Sequence, residues 1–398
     1  MNNRNYFVLI LILGSLTALA PFSIDMYLPG FPAIAKDLDT TISKVALSLS
    51  SFFIGISAGQ LLYGPLLDRF GRKKPLYVGL IIYIIASAGC AFATSIDALI
   101  ALRFIQALGS CAATVAAVAM VRDLFPVQDS AKVFAMLMLV LGVSPMIAPT
   151  LGGYVTAHLG WHTIFIILLG IGVFNLIASF LWLPEVYKPD TSMSLKPKPI
   201  VNNFLFVMRE PQFYTYALTG ALAFAGLFVY ISGSPLLFMD IFKVKEETYG
   251  WIFALLSVGF IGSSQVNTLL LRRFKSEQII LFAMLAQVIT IVFFLIGGIN
   301  GWFGLYTTIF LLFKFLCCLG FVSPNASALT LAPFTKNAGS AAALMGAIQM
   351  GLGALASVGI GLINAHSVVP MLAIMAACSL LAFLVLIIGR RSIKPSFQ

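Results

Sequence analysis

Gly64-Pro65-Leu66-Leu67-Asp68-Arg69-Phe70-Gly71-Arg72-Lys73-Lys74 gathers four basic residues, one acid and two glycines into a short polar island. Apolar stretches flank it, near residues 45–66 and 75–94. Each is long enough to cross about 30 Å of hydrocarbon, which takes roughly 20 helical residues. The island is therefore a turn between two membrane spans. Gly71 permits a tight turn that other residues resist, and Gly64 lets two helices approach closely. Asp68 supplies an acceptor in an otherwise basic loop.

Similar apolar stretches recur on both sides. Together they make twelve, near residues 6–31, 45–66, 75–94, 98–121, 131–156, 163–183, 212–238, 249–270, 278–299, 303–332, 339–364 and 367–389. The 398 residues are 60% hydrophobic and 10% charged, with a mean hydropathy of +1.01. Soluble domains carry roughly 25% charged residues, so this is an all-α polytopic membrane protein and not a soluble globule. The lipid bilayer is its first partner.

The net charge of +10 is distributed in a way that excludes a nucleic-acid partner. With the N-terminus placed in the cytoplasm, that side holds Arg4; Arg69, Arg72, Lys73 and Lys74; Arg122 and Lys132; Lys188, Lys196, Lys198 and Arg209; Arg272, Arg273 and Lys275; Lys336; and Arg390, Arg391 and Lys394. These are eighteen of the 24 basic residues, against Lys36, Lys44, Lys243 and Lys245 on the other side. The positive-inside rule then puts both termini in the cytoplasm, with the protein in the cell inner membrane. Residues 1–20 imitate a secretory signal ending Ala18-Leu19-Ala20, but Pro21 would follow the cut and the helical pattern runs past it, so the segment reads as a span. Cys90, Cys111, Cys317, Cys318 and Cys378 all fall in spans and read as small buried hydrophobes rather than disulfides or a metal site.

The longest polar interruption runs from Pro184 to Pro211 and leaves six spans on each side. It divides the chain into an N-terminal half, 1–184, a central cytoplasmic linker, 185–211, and a C-terminal half, 212–398. Leu66-Leu67-Asp68-Arg69-Phe70 matches Leu270-Leu271-Arg272-Arg273-Phe274 at an offset of 204, and Ser130-Ala131 and Ala157-His158 echo Ser340-Ala341 and Ala365-His366. Paired halves of this kind are how many transporters are built.

Three ionisable residues lie within spans, where a charge costs about 2.5 to 3.5 kcal/mol at mid-helix and so marks function. Asp25 in the first span and Arg103 in the fourth fall about 10 Å and about 8 Å from the same outer face at 1.5 Å per residue. Matched depth makes them a candidate proton-coupling pair, although Asp25 alone could cap a break at Pro21 and Pro29 and Arg103 alone could snorkel. Arginine stays charged at working pH, so Asp25 would carry the proton and Arg103 would tune it. Lys314 lies roughly 18 Å into the tenth span. It could contact a substrate, answer a carboxylate, titrate, or be satisfied by neighbouring carbonyls. His158, His162 and His366 sit at outer ends of spans and read as interfacial residues.

The island at 64–74 resembles the G-x-x-x-D-(R/K)-x-G-(R/K)-(R/K) loop signature of the major facilitator superfamily. Arg103-Phe104-Ile105-Gln106-Ala107-Leu108-Gly109 resembles that family's R-x-x-Q-G-x-G pattern, with Ala107 at a usual glycine, a change expected to loosen local packing. Ser144-Pro145-Met146-Ile147-Ala148-Pro149-Thr150-Leu151-Gly152-Gly153 resembles its antiporter signature, with Ala148 replacing the first glycine of the closing G-P-x-x-G-G. Pro145, Pro149, Gly152 and Gly153 make a segment that can bend or pack closely. Ser23-Ile24-Asp25-Met26-Tyr27-Leu28-Pro29 is similar to the first span of the bicyclomycin-resistance (Bcr/CflA) branch of drug:proton antiporters. The resemblance covers essentially the whole chain.

It implies two six-helix pseudo-repeat halves and proton-coupled efflux of small hydrophobic or amphiphilic compounds. It also implies a cytoplasmic gate of Gly64, Asp68, Gly71, Arg72, Lys73 and Asp123. There Arg72 pairs with Asp123, and Asp68 faces the start of the eleventh helix near Asn337 to Ser340. Tyr27, Gln106 and Lys314 are the candidate substrate-cavity residues. Protons and small molecules are the expected partners, with no cofactor and no nucleotide, since no G-x-x-x-x-G-K-[ST] loop is present. The alternatives are export or uptake of a metabolite, a transporter-like sensor, and remotely an intramembrane hydrolase at Gly55-Ile56-Ser57-Ala58-Gly59. That string fits G-x-S-x-G but lies mid-helix with the histidines far off, so the chain is expected not to be an enzyme.

Overall fold

The computed structural model describes residues 3–125, 127–185, 187, 189, 204–334, 338–363 and 367–393. Among them are helices and turns and no strand. Without water to satisfy them, backbone polar groups in a bilayer must bond within their own segment, which selects helices. Lys336, Asn337, Ala365 and His366 lie outside the described residues.

The first span is α1 (Asn3–Asp25), a 3₁₀ turn (Leu28–Gly30) and α2 (Phe31–Asp37). Then follow α3 (Ile42–Phe70), α4 (Lys73–Ala91), α5 (Ile96–Leu124), α6 (Val127–Leu159) and α7 (Trp161–Trp182). After the linker come α8 (Pro211–Pro235), continued by a π turn (Leu236–Ile241), α9 (Glu246–Leu270), α10 (Ser276–Ile299), α11 (Leu305–Leu331), α12 (Ala338–Leu362) and α13 (Val369–Gly389). Twelve helices among the described residues are long and apolar enough to cross a membrane. Hydroxyl caps set two starts: Thr41 accepts from the Lys44 amide at 3.2 Å and Ser95 from the Ala98 amide at 3.3 Å. The first span reaches Asp37, beyond the expected end at 31, because a new helix starts directly after the break at Pro29 and Gly30.

The helices form two compact units, Met1–Leu195 with Lys245–Ala254, and Lys196–Val244 with Leu255–Gln398. The start of α9 thus groups with the first six spans, a division sequence alone does not suggest. In the first unit α5 packs on α3 and α4, α4 on α7, and α1 on α6. In the second, α8 packs on α11, α12 and α13, and α10 on α11 and α13, around Tyr216, Ala223, Met284, Leu319, Val322 and Leu386. Lipid tails are as apolar as leucine, so this packing rests on close van der Waals fit rather than on water exclusion.

The pseudo-repeat is visible in contacts within each unit. Phe7–Asp37 and Pro211–Ile241 are both 31 residues long and start 204 apart, as do α3 and α9. A Cβ on Gly55 of α3 would meet the Phe104 carbonyl oxygen of α5 at 2.7 Å, and one on Gly259 of α9 would meet the Phe313 ring of α11 at 2.8 Å. One turn on, Gly59 abuts Cys111 and Ser263 abuts Gly320. Phe104 and Cys111 are each 209 residues before their counterparts Phe313 and Gly320. The same small-residue seam is used twice.

Candidate functional site

Arg103 is the largest fully buried side chain among the described residues. Its Nη1 donates to Gln106 Oε1 at 2.5 Å, and its Nη2 crosses to α1, donating to the Ser23 carbonyl at 2.7 Å. The guanidinium carbon lies 4.3 Å from the Tyr27 ring centroid, 4.2 Å from that of Phe52 and 5.8 Å from that of Phe165, so α3, α5, α7 and the turn after α1 enclose it in aromatic faces. Nε has no hydrogen-bond partner among the described residues. Gln106 in turn donates to Ser87 Oγ at 2.7 Å, and Ser87 to the Tyr83 carbonyl at 2.7 Å. The Tyr83 hydroxyl is 2.8 Å from Ser23 Oγ, which closes the circuit.

Asp25 ends α1 and is 4% exposed. No ion pair among the described residues joins it to Arg103. The expected partnership is not seen: the guanidinium is taken up by the Ser23 backbone carbonyl and the Gln106 side chain instead. The far side of α1 meets α6, and the two run parallel. Gly14 faces Leu137 and Val140, a Cβ on Gly152 would collide with the Met26 carbonyl, and Gly30 faces Thr156. Tyr27 and Gln106 are also repositioned. Both are fully buried around Arg103, with the Tyr27 hydroxyl 3.0 Å from Ser48 Oγ, and neither lines an open cavity here.

At the other end of α3, Gly71 has φ +85°, a conformation that favours glycine. It delivers Arg72 to two carboxylates. Nη1 donates to Asp68 Oδ1 and Nε to Asp123 Oδ2, both at 2.6 Å. Arg72–Asp123 is the expected pair, and Asp68 joins the same guanidinium. Burial alone would pull Arg72 down, but the hydrogen bonds it donates to Asp123 and Asp68, with their charges, push it above its ordinary value. The Tyr187 ring covers the guanidinium at 3.8 Å, and Glu185 and Pro189 border Gly71. Sequence reasoning missed Tyr187, whose one signal is an aromatic residue in a polar, proline-rich linker. Lys73 stands 6.0 Å from the Tyr77 ring. Gly64 differs from expectation: a Cβ built there meets nothing within 4 Å from any other described helix, and the close approaches of α3 fall earlier, at Gly55 and Gly59.

Pro145, Pro149, Gly152 and Gly153 lie inside the continuous helix α6. Gly152 sits on the Met26 backbone, Gly153 on the Glu246 carbonyl at 2.5 Å from a built Cβ, and Gly250 returns the contact against Pro149 and Thr150. Close packing on two sides is the role seen. Ala107 is fully buried and does not loosen its seam, because Gly55 opposite leaves room for its methyl group. Gly55 and Gly59 of the G-x-S-x-G string are accordingly helix-packing glycines. His158 and His162 fall at the ends of α6 and α7, His162 with Asp37 at 3.6 Å. All five cysteines are free thiols. Lys314 on α11 is exposed and makes no ion pair among the described residues.

A family model described as Major Facilitator Superfamily matches residues 13–359. The chain belongs to that family. As a major facilitator it is a multi-pass membrane transporter. It is 33% identical over 367 residues to the uncharacterized MFS-type transporter YdgK of Bacillus subtilis (strain 168), covering 92% of this chain and 90% of that one. It is 29% identical over 381 residues to the bicyclomycin resistance protein homolog of Haemophilus influenzae (strain ATCC 51907 / DSM 11121 / KW20 / Rd), covering 96% of each. Among solved structures, that of a D-xylose-proton symporter superposes with a TM-score of 0.76 at 14% identity, covering 96% of this chain and 97% of that one. That likeness speaks to fold alone.

Proposed function

We propose that this major facilitator is a proton-coupled exporter of small hydrophobic or amphiphilic compounds, working by alternating access in the inner membrane with both termini cytoplasmic. The observation that carries the reading is Asp25, a carboxylate buried in the first span without an ion pair among the described residues. A charge at such a position is costly, and a carboxylate can exist there in two protonation states, which is what coupling needs. Arg103 fixes the end of α1 through Ser23. Substrate and proton compete for one binding cycle, and the Asp68, Arg72 and Asp123 cluster biases the inward-closed state. The similarity to a bicyclomycin resistance protein homolog supports a drug-like substrate and outward transport. Membrane potential supplies about 2.3 kcal/mol per charge per 100 mV. At roughly 1.4 kcal/mol per tenfold, one charge moved sustains a gradient of about 40-fold, enough to protect a cell.

The test is dye efflux and drug susceptibility in a pump-deficient host, with and without an uncoupler, for the wild type and Asp25→Asn. The variant is expected to express normally and to lose uncoupler-sensitive efflux. Wild-type rate and wild-type pH dependence in Asp25→Asn would remove the coupling assignment.

A further inference from the structure

Lys314 lies nine residues from the start of α11 at Leu305 and seventeen from its end at Leu331. At 1.5 Å per residue these are about 14 Å and about 26 Å, farther than a four-carbon stem can climb to reach a headgroup. Its side chain is exposed and has no hydrogen bond or ion pair with a described residue. An ammonium group held at that depth, unpaired and facing outward from its own bundle, needs water or an anion in front of it. The pseudo-repeat identifies the face. Phe104 and Phe313 take equivalent places against Gly55 and Gly259, so the residues after them, Ile105 and Lys314, are counterparts. Ile105 is 42% exposed. Both repeats leave this face open, and only the second places a cation on it. Phe310 and Tyr306, one and two turns from Lys314 on the same side, are 64% and 85% exposed.

We propose that Lys314 is a specificity-determining residue that binds the acid group of anionic amphiphiles, with Phe310 and Tyr306 receiving their apolar body. The inference rests on the transport reading and names a substrate class for it. The geometry is that of a point charge at the end of an aromatic strip: the ammonium donates to a carboxylate or sulfonate, and the rings take an aryl or alkyl body. Neutral compounds gain the strip and not the charge.

The test is equilibrium binding to the purified full-length protein of 2-naphthylacetate, an anion at neutral pH, and of its neutral amide, 2-naphthylacetamide. The wild type is expected to bind the acid about tenfold more tightly than the amide, as one charge-assisted hydrogen bond provides. Lys314→Gln should erase that preference by weakening the acid alone, and Lys314→Arg should keep it. Unchanged amide binding in both variants reports an intact fold. The proposal is overturned if the wild type shows no preference, if Lys314→Gln retains it, or if Lys314→Gln weakens both ligands equally. The assay contains no proton gradient and no direction, so a failure of proton-driven export would appear in the efflux experiment and leave this result standing.

Discussion

Arg103 Nη2 donates to the backbone carbonyl of Ser23 at 2.7 Å and not to the carboxylate two residues further on. The arginine therefore ties α5 to α1 as a structural cation. Removing the guanidinium strands the Ser23 carbonyl and the Gln106 amide oxygen in a dry interior, and an unsatisfied buried group costs about 1–3 kcal/mol. Arg103→Ala is expected to lower the thermal midpoint of purified protein by several degrees. Arg103→Lys, a point charge without the planar fork, should fall in between. An Arg103→Ala protein that melts with the wild type would show that the circuit does not hold the helices.

Arg72 is shared by Asp68 and Asp123, each at 2.6 Å. Asp68→Asn or Asp123→Asn alone leaves one carboxylate on the guanidinium. The double variant leaves a half-buried cation unanswered, so its loss of stability should exceed the sum of the singles by about 0.5–1 kcal/mol. Arg72 is raised above its ordinary value by these carboxylates despite burial. The stability linked to its proton is full below that ordinary value and is lost only as pH climbs past the raised one. Arg72 itself should add no pH dependence between about pH 6 and pH 9, which chemical denaturation across that range will check.

Gly152→Ala sets a methyl group on the Met26 carbonyl, a backbone atom that cannot swing aside. Overpacking of this kind costs typically about 1–3 kcal/mol, so the variant should melt early or fail to accumulate. Gly64→Ala meets open space and should melt like the wild type. If Gly64→Ala is stable yet transports poorly, its close approach belongs to another stage of the cycle. If it is unstable, the described packing of α3 is wrong.

Ala107→Gly restores the residue usual in the family's fourth span. Here it should destabilise by about 1 kcal/mol, from the glycine's helix penalty and the space left opposite Gly55. Thermal melts of Ala107→Gly and Gly55→Ala, singly and combined, will tell. The combination, which moves the methyl group across the seam, should recover part of the loss.

Position along a span was legible in the sequence because it is linear in residue number: Asp25 falls at the end of α1, Arg103 within α5 and Gly71 between α3 and α4. The direction a side chain faces was not. Arg103 reaches the Ser23 backbone carbonyl rather than the Asp25 carboxylate, and no count of residues says which group of a neighbouring helix a side chain will find. Tyr27 and Gln106 look like cavity residues on paper and become walls of the arginine's enclosure only once Ser48, Phe52 and Ser87 arrive from other helices. Gly64 shows the same limit: a glycine announces that something can come close, not that it does. Arg72–Asp123 was legible only through the resemblance of its loop. Tyr187 had no motif to mark it.

The circuit through Ser23, Tyr83, Ser87, Gln106 and Arg103 has a bearing on how such a sequence can drift. A first substitution at Ser87, Gln106 or Arg103 leaves a buried donor or acceptor stranded, so intermediates along any mutational route are less fit than either end. Descendants that lose the arginine should have replaced the glutamine and Ser87 together with it. An engineer moving this first-span geometry into another transporter would have to transplant all five positions at once.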